Sequence, residues 1–164
     1  MLRHALALAL ACIALASIAQ QTGSFEAERT VRIAATIQAV TQGDRHVTLQ
    51  KADGSKVIVR AGPAAENLNE IRSGDKVVVV YREGLVAEVR PKGANLPATA
   101  NTVRIEAVNP SEHTVTFTRS NGERRKMDVV RADAMRFVEK LKPGDAVEVT
   151  FQEPVAISIE RDAG

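Results

Sequence analysis

Two acidic pairs are the first candidates for chemistry, because the chain repeats them at the same spacing. Asp75 and Glu83 lie in "GDKVVVVYRE", and Asp145 and Glu153 lie in "GDAVEVTFQE". Two carboxylates close in space can act as general acid and general base. An aspartate that follows glycine in a turn instead accepts hydrogen bonds from backbone amides, and we favour this structural role for Asp75 and Asp145. We interpret Glu83 and Glu153 as outward, solvated charges at a turn between strands, with ligand contact as the alternative.

The densest positive charge is the run "RRK", from Arg124 to Lys126, with Arg119 nearby. On a strand, such a cluster could bind phosphate, an acidic polysaccharide or a lipid head group. Charged side chains also protect an exposed sheet surface from pairing with another chain, and we favour this interpretation. A candidate binding surface, if the charges bind a ligand, consists of Arg119, Arg124, Arg125, Lys126, Glu83 and Glu153.

Other catalytic and metal-binding patterns are missing from the sequence. It has no Ser-His-Asp set, no run of metal ligands and no Gly-rich phosphate loop. Beyond residue 19, the soft donors are His46, His113, Met127 and Met135. A Cu(I) site needs such donors to converge on one point, and the pattern places these four on different elements. We therefore expect no catalytic residue, no metal site and no cofactor.

An internal repeat predicts the elements that position these residues. The stretch from Ile37 to Gly54 aligns with the stretch from Ile105 to Gly122 at an offset of 68, and the Gly-Asp segments align at an offset of 70. Each copy therefore has about 60 residues. We predict an N-terminal extension at 20–30, repeat 1 at 31–90, a linker at 91–100 ("PKGANLPATA") and repeat 2 at 101–161.

Within each copy, apolar residues alternate with polar ones, which is typical of half-buried strands. The turns "ADGS" and "SNGE" favour tight hairpins. Spacing of four and three then predicts a short helix, through Ala64, Leu68 and Ile71 in the first copy. Two further strands follow, with Val155, Ile157 and Ile159 inward in the second copy. This order predicts an all-β protein of two tandem five-stranded OB-like barrels, each with a helix between strands three and four.

Residues 1–19 are interpreted as a secretory signal peptide. The basic start "MLRH" precedes an uncharged apolar run from Ala5 to Ala19, shorter than the roughly 20 residues that span a bilayer. A membrane anchor and a buried helix are the alternatives. Lipidation of Cys12 is disfavoured, because the apolar run continues past it. We expect a periplasmic protein without cysteine once this segment is removed.

Charge and aromatic content disfavour several partners. Loss of Arg3 with residues 1–19 leaves 21 of the 22 basic residues against 20 acidic ones, so the mature chain has no electrostatic footprint for DNA or anionic lipid. Single-stranded nucleic acid normally stacks on exposed aromatic side chains. The chain has no Trp, and the pattern places its Phe and Tyr inward. We expect neither nucleic-acid binding nor membrane insertion after removal of the signal peptide.

The segments "AVNPSEHTVTF" and "KLKPGDAVEVTFQEPVAISIE" resemble a widespread group of uncharacterised exported bacterial proteins with tandem OB-like repeats. The resemblance covers nearly all of residues 35–161 and implies no activity. More distantly, each repeat resembles the small OB-fold periplasmic copper/silver chaperones. Those proteins bind metal through a second-strand His, two Met residues and a Trp. This chain has Thr48, Leu49, Thr116 and Phe117 on the second strands, so the resemblance implies the fold without the metal site.

The sequence thus favours an exported, non-enzymatic accessory or binding protein of the bacterial cell envelope. Its expected partner is an envelope protein or glycan. A periplasmic metal chaperone and a hydrolase whose site leaves no recognisable motif are the alternatives.

Processing gives a first prediction. If residues 1–19 are removed on export, the intact mass of the protein recovered from the periplasm will correspond to a chain that starts near Gln20. A full-length mass, or a mass that includes acyl chains on Cys12, would contradict this interpretation.

Overall fold

A computed structural model describes residues 23–89 and 101–162. The predicted signal peptide (1–19) and linker (91–100) lie outside them. The strands are β1 Gly23–Thr41, β2 His46–Lys51, β3 Lys56–Ala61, β4 Lys76–Val89, β5 Thr102–Asn109, β6 Thr114–Arg119, β7 Arg124–Val129, β8 Ala146–Phe151 and β9 Val155–Arg161. A 3-10 helix, Glu66–Asn69, and an α-helix, α1 Ala132–Val138, lie between the third and fourth strands of their copies. The all-β class is confirmed. Neither of these helices has the length and apolar character to cross a membrane.

The Gly-Asp turns are built alike in the two copies. Gly74 and Gly144 have φ values of +94° and +92°, in the left-handed region that favours glycine. Asp75 and Asp145 each accept a hydrogen bond from the backbone amide three residues earlier, at 2.9 and 2.8 Å. The structural role predicted for the two aspartates is confirmed, because their carboxylates satisfy turn amides.

The alternation of buried and exposed side chains is interrupted before the end of the first strand of each copy. The register shifts between Ile37 and Ala39 in β1, and between Ile105 and Ala107 in β5. A bulge of this kind inserts one extra residue and reverses the faces that follow. Ala39 and Ala107 are therefore exposed, although the alternation predicts them inward.

The two separate five-stranded barrels are not formed, because β4 is one continuous strand where the sequence predicts two. Its first half pairs with β9, from Val77 with Arg161 to Arg82 with Val155. Its second half pairs with β8, from Leu85 with Phe151 to Glu88 with Glu148. The fifth strand of each copy therefore pairs with the fourth strand of the other copy. We call this arrangement the strand exchange.

β1 and β4 form a long antiparallel ladder, which continues through the position of the predicted turn. It runs without a register shift from Gly23 paired with Val89 to Thr36 paired with Lys76. In the second copy, Pro154 stands between β8 and β9, and proline has no amide to donate to a ladder. All nine strands lie in one sheet, in the order β1-β2-β3-β9-β4-β8-β5-β6-β7, with β1 also paired to β7 and β4.

Both hydrophobic cores combine residues of the two copies. The first core is formed by β1 to β4 and the 3-10 helix, together with Ala156 and Ile159 of β9. The second is formed by β5 to β8 and α1, together with residues of β1 and β4 such as Phe25 and Leu85. Neither core is therefore complete without the other copy.

Three residues predicted to point inward are not fully buried. In β9, Ala156 and Ile159 are buried, whereas Val155 and Ile157 are only half-buried, because the register with β4 shifts between Val80 and Tyr81. In the first copy, Leu68 and Ile71 are buried as predicted, but Ala64 is exposed and Ala65 is buried. The first helix is a single 3-10 turn, which does not keep the α-helical spacing.

The shared cores give a second prediction. Val149 is buried in β8 opposite Ala87 of the other copy, whereas its neighbour Thr150 is exposed. An unpaired carboxylate in an apolar core costs several kcal/mol, which is comparable to the roughly 5–15 kcal/mol stability of a whole domain. Val149→Asp should abolish folding of both copies in urea denaturation followed by circular dichroism, whereas Thr150→Asp should leave the midpoint nearly unchanged. A Val149→Asp protein in which the first core remains cooperatively folded would contradict this coupling.

Candidate functional site

The strand exchange creates a junction where β8 leaves β4 and β9 joins it. We call this junction the seam and define it as residues 82–85 and 151–155. The equivalent glutamates of the two copies, Glu83 and Glu153, both lie in the seam. Each of them forms ion pairs with side chains of the other copy, in different surroundings.

Glu83 is buried, with 8% of its surface exposed. Its Oε2 accepts hydrogen bonds from Arg29 Nε at 2.7 Å and from Arg125 Nη1 at 2.8 Å. The interpretation of Glu83 as an outward, solvated charge is wrong. Because β4 does not turn here, the alternation that buries Tyr81 and Leu85 continues through position 83 and points its carboxylate inward.

Arg125 extends this pair into a network. It contacts Glu123 Oε1 at 2.8 Å, and Arg119 reaches the other oxygen of Glu123 at 3.2 Å. Burial raises the pKa of Glu123, but the neighbouring arginines outweigh burial and hold that pKa below its ordinary value. The guanidinium of Arg119 lies 4.3 Å from the centre of the Phe151 ring, a cation–π contact that closes the network on β8.

The predicted basic cluster is divided between two faces of the second copy. Arg119 and Arg125 belong to the partly buried network, and each is already paired with glutamate. Arg124 and Lys126 lie outward, and each pairs with a glutamate of its own copy. The structure therefore does not bring the four basic side chains into one patch, and ligand binding by them stays a prediction.

Glu153 is exposed and contacts two side chains of the first copy. Its Oε1 is hydrogen-bonded to His46 Nε2, and its Oε2 accepts from Arg60 Nε at 3.2 Å. The other ring nitrogen of His46, Nδ1, lies 3.0 Å from Asp44 Oδ2. The hydrogen bond to Glu153, and then the one to Asp44, raise the pKa of His46. The same bond from His46 lowers the pKa of Glu153.

A cleft of about 340 Å³ opens on the outer side of the seam. Its apolar part is formed by Pro63 and Ala64, which follow β3, and by Val155 and Ile157 of β9. Its polar part consists of Gln152, Glu153 and an ion pair between Glu28 and Arg82, at 3.7 Å. Residues of both copies therefore enclose it.

Arg45 holds the wall of the cleft that follows β3, and no sequence motif marks it as functional. Its Nε donates to the carbonyl of Ala61 at 2.9 Å, and its Nη2 donates to the carbonyls of Gly62 and Ala65 at 2.9 and 3.1 Å. A Cβ at Gly62 would lie 2.9 Å from the Ala156 carbonyl oxygen, so only glycine permits this approach of β9. The equivalent of Arg45 is His113; both have positive φ, at 58° and 52°, and His113 is exposed.

The soft donors singled out in the sequence lie in different places. Met127 and Met135 are buried in the second core, whereas His46 contacts the seam through Glu153 and His113 lies in an exposed turn. Over residues 23–89 and 101–162, no group of three or more His, Cys, Asp or Glu side chains is arranged to hold a metal ion.

Comparison with family models and curated proteins identified no relative of the chain. No protein-family model matches the chain, and no curated protein matches it significantly. The resemblances drawn from the quoted motifs stay predictions, and the function has to be argued from the geometry of the seam.

The buried pair gives a third prediction. Glu83→Gln removes the charge that neutralises Arg29 and Arg125, whose side chains are 28% and 12% exposed. Breaking a buried ion pair costs about 3–5 kcal/mol, and partial exposure of Arg29 reduces this to about 2–3 kcal/mol. Urea denaturation should show a loss of this size in the free energy of unfolding.

Glu112→Gln is the matched control, since Glu112 forms an exposed ion pair with Lys126. It should leave the denaturation midpoint nearly unchanged. Equal losses for the two variants would show that burial of Glu83 contributes nothing to stability.

Proposed function

We propose that the protein is an exported, non-catalytic binding protein of the bacterial cell envelope, and that it binds its partner in the cleft at the seam. The observation that carries the proposal is the composition of this cleft. Side chains from both copies enclose it, and it combines an apolar part with a charged rim. Ligand sites in proteins have this combination, with apolar surface for affinity and a few polar groups for orientation.

The size of the cleft favours a small group. Binding pockets for whole drug-sized ligands span about 300–1,000 Å³, and this cleft, at about 340 Å³, lies at the lower end. One or two side chains of a protein partner would fill it. Among the described residues that line it there is no aromatic side chain on which a sugar could stack, and this favours an envelope protein over a glycan.

The charge state of the rim supports binding over catalysis. Arg60 and His46 both contact Glu153, and the pKa of Glu153 is lowered. A general acid at neutral pH needs a raised carboxylate pKa. Glu153 is therefore suited to accept a hydrogen bond as a carboxylate and unsuited to donate a proton.

Export is supported by the basic start and the apolar run of residues 1–19. Each copy retains the strand-strand-strand-helix-strand order of an OB-like unit. We propose that each unit takes its fifth strand from the other copy, which places the binding site between the copies.

The binding proposal gives a fourth prediction, which a matched pair of variants tests. Ala64 is exposed and lines the cleft, whereas Ala107 is exposed on β5 and is not part of the lining. Ala64→Trp should fill the cleft without disturbing either core, and Ala107→Trp should add the same side chain elsewhere. Wild type and both variants are immobilised and incubated with periplasmic extract, and the retained proteins are compared by mass spectrometry.

A partner that is retained by wild type and Ala107→Trp, and lost with Ala64→Trp, supports the proposal. Retention of the same partner by Ala64→Trp would exclude the cleft as the binding site. Failure of the wild type to retain any protein would contradict a protein partner.

A further inference from the structure

The connection between β8 and β9, Gln152 to Pro154, forms one wall of the cleft and has few attachments to the first copy. Its two ends are fixed by backbone hydrogen bonds, from Gln152 N to the Gly84 carbonyl at 2.8 Å and from Arg60 N to the Pro154 carbonyl at 2.8 Å. Between them, only the Glu153 side chain joins the connection to β2 and β3, through His46 and Arg60.

We propose that His46 and Glu153 form a pH-sensitive clasp across the seam. Protonated His46 holds the 152–154 connection against β2, and loss of that proton weakens this attachment, leaving Arg60 as the remaining charged partner of the Glu153 carboxylate. As a form of regulation of the cleft, the clasp rests on the function proposed above. As a property of the fold, it rests only on the contacts of His46.

Among the described residues, three charged groups face His46. Asp44 approaches from the turn before β2, and Glu153 approaches from the connection between β8 and β9. Arg60 is the cross-strand partner of His46 in β3, and it contacts the second oxygen of Glu153. Arginine stays protonated at all relevant pH values, so His46 is the group of this cluster that titrates near neutrality.

The sign of the pH dependence follows from these contacts. The pKa of His46 is raised by Glu153 and Asp44, so the stabilisation it provides is complete below the ordinary histidine pKa and is lost as pH rises through the higher pKa of the folded state. The pKa of both carboxylates is lowered by His46, so their contribution is lost only as pH falls through those lowered values. The clasp is therefore strongest in mildly acidic solution and weakens toward alkaline pH.

The equivalent glutamate supports this assignment by contrast. Glu83 has the same place in the first copy, but its partners are the arginines Arg29 and Arg125, and it is buried. The partners of Glu83 are therefore guanidinium groups only. The chain thus places glutamate between arginines in one copy and between an arginine and a histidine in the other, which is the one beside the cleft.

The test uses nuclear magnetic resonance of the mature protein, with wild type, Glu153→Gln and His113→Gln titrated from about pH 5 to 9. The His46 ring should titrate in wild type, and the amide signals of Gln152 and Glu153 should shift with the same midpoint. In Glu153→Gln, the pKa of His46 should fall and the Gln152 amide should no longer follow it. His113→Gln replaces an exposed histidine of the second copy and should leave both signals unchanged.

Amide hydrogen exchange gives the second readout. Above the His46 midpoint, protection of the Arg60 amide, which donates to Pro154, should fall by a factor of about two to five, as for loss of one exposed ion pair, after correction for the intrinsic effect of pH. In Glu153→Gln, this pH-dependent loss should be absent.

An equal pKa of His46 in wild type and Glu153→Gln, or a Gln152 amide that does not respond to its titration, would overturn the clasp. Neither readout involves a ligand. A clasp that titrates as described, together with undiminished partner retention by Ala64→Trp, would reject the cleft function alone. Absence of this titration, together with loss of the partner in Ala64→Trp, would reject the clasp alone.

Discussion

The uninterrupted ladder between β1 and β4 determines how the two copies combine. It pairs Gly23 with Val89 at one end and Thr36 with Lys76 at the other, and it therefore keeps β4 straight through the position where the repeat predicts a turn. A straight β4 contributes its first half to the first core and its second half to the second core. The strand exchange, the mixed composition of both cores and the seam all follow from this geometry.

The seam shows how the same residue type acquires two roles from its surroundings. Glu83 lies within a straight strand, so its carboxylate points into the protein and requires two arginines. Glu153 lies where β8 has ended and β9 has not begun, so its side chain remains in contact with solvent and with the titratable His46. Backbone continuity, which differs between the copies, decides whether the ion pair is buried or exposed.

Local features of the fold could be predicted from the sequence because local chemistry determines them. The period of two buries Val47 and Leu49, the glycines at 74 and 144 have positive φ, and the two aspartates beside them accept turn amides. The exchange could not be predicted, since both copies contain the same apolar pattern and either fourth strand can pair with either fifth strand. The apolar pattern specifies which residues of a strand are buried. It does not specify whether the neighbouring strand comes from the same copy or from the other one.

The candidate site was predictable only in part, for the same reason. Repeated or clustered charge in the sequence identifies four residues that the structure places in or beside the seam: Glu83, Glu153, Arg119 and Arg125. Arg29 and Arg45 carry no such pattern. Arg29 lies in a segment that reads as an extension before the first repeat, and Arg45 acts through backbone carbonyls of a loop 16 to 20 residues further along the chain. Their roles depend on long-range pairing that the sequence does not display.

The strand exchange also gives the chain the architecture of a swapped dimer whose two members are joined covalently. Two free molecules would have to meet before either could complete its core, and their folded fraction would fall on dilution. In a single chain the complementary copy is always present at a fixed ratio and at high effective concentration. Duplication thus converts an assembly problem into a unimolecular folding problem, and a copy separated from its counterpart would lack the strand that its own core requires.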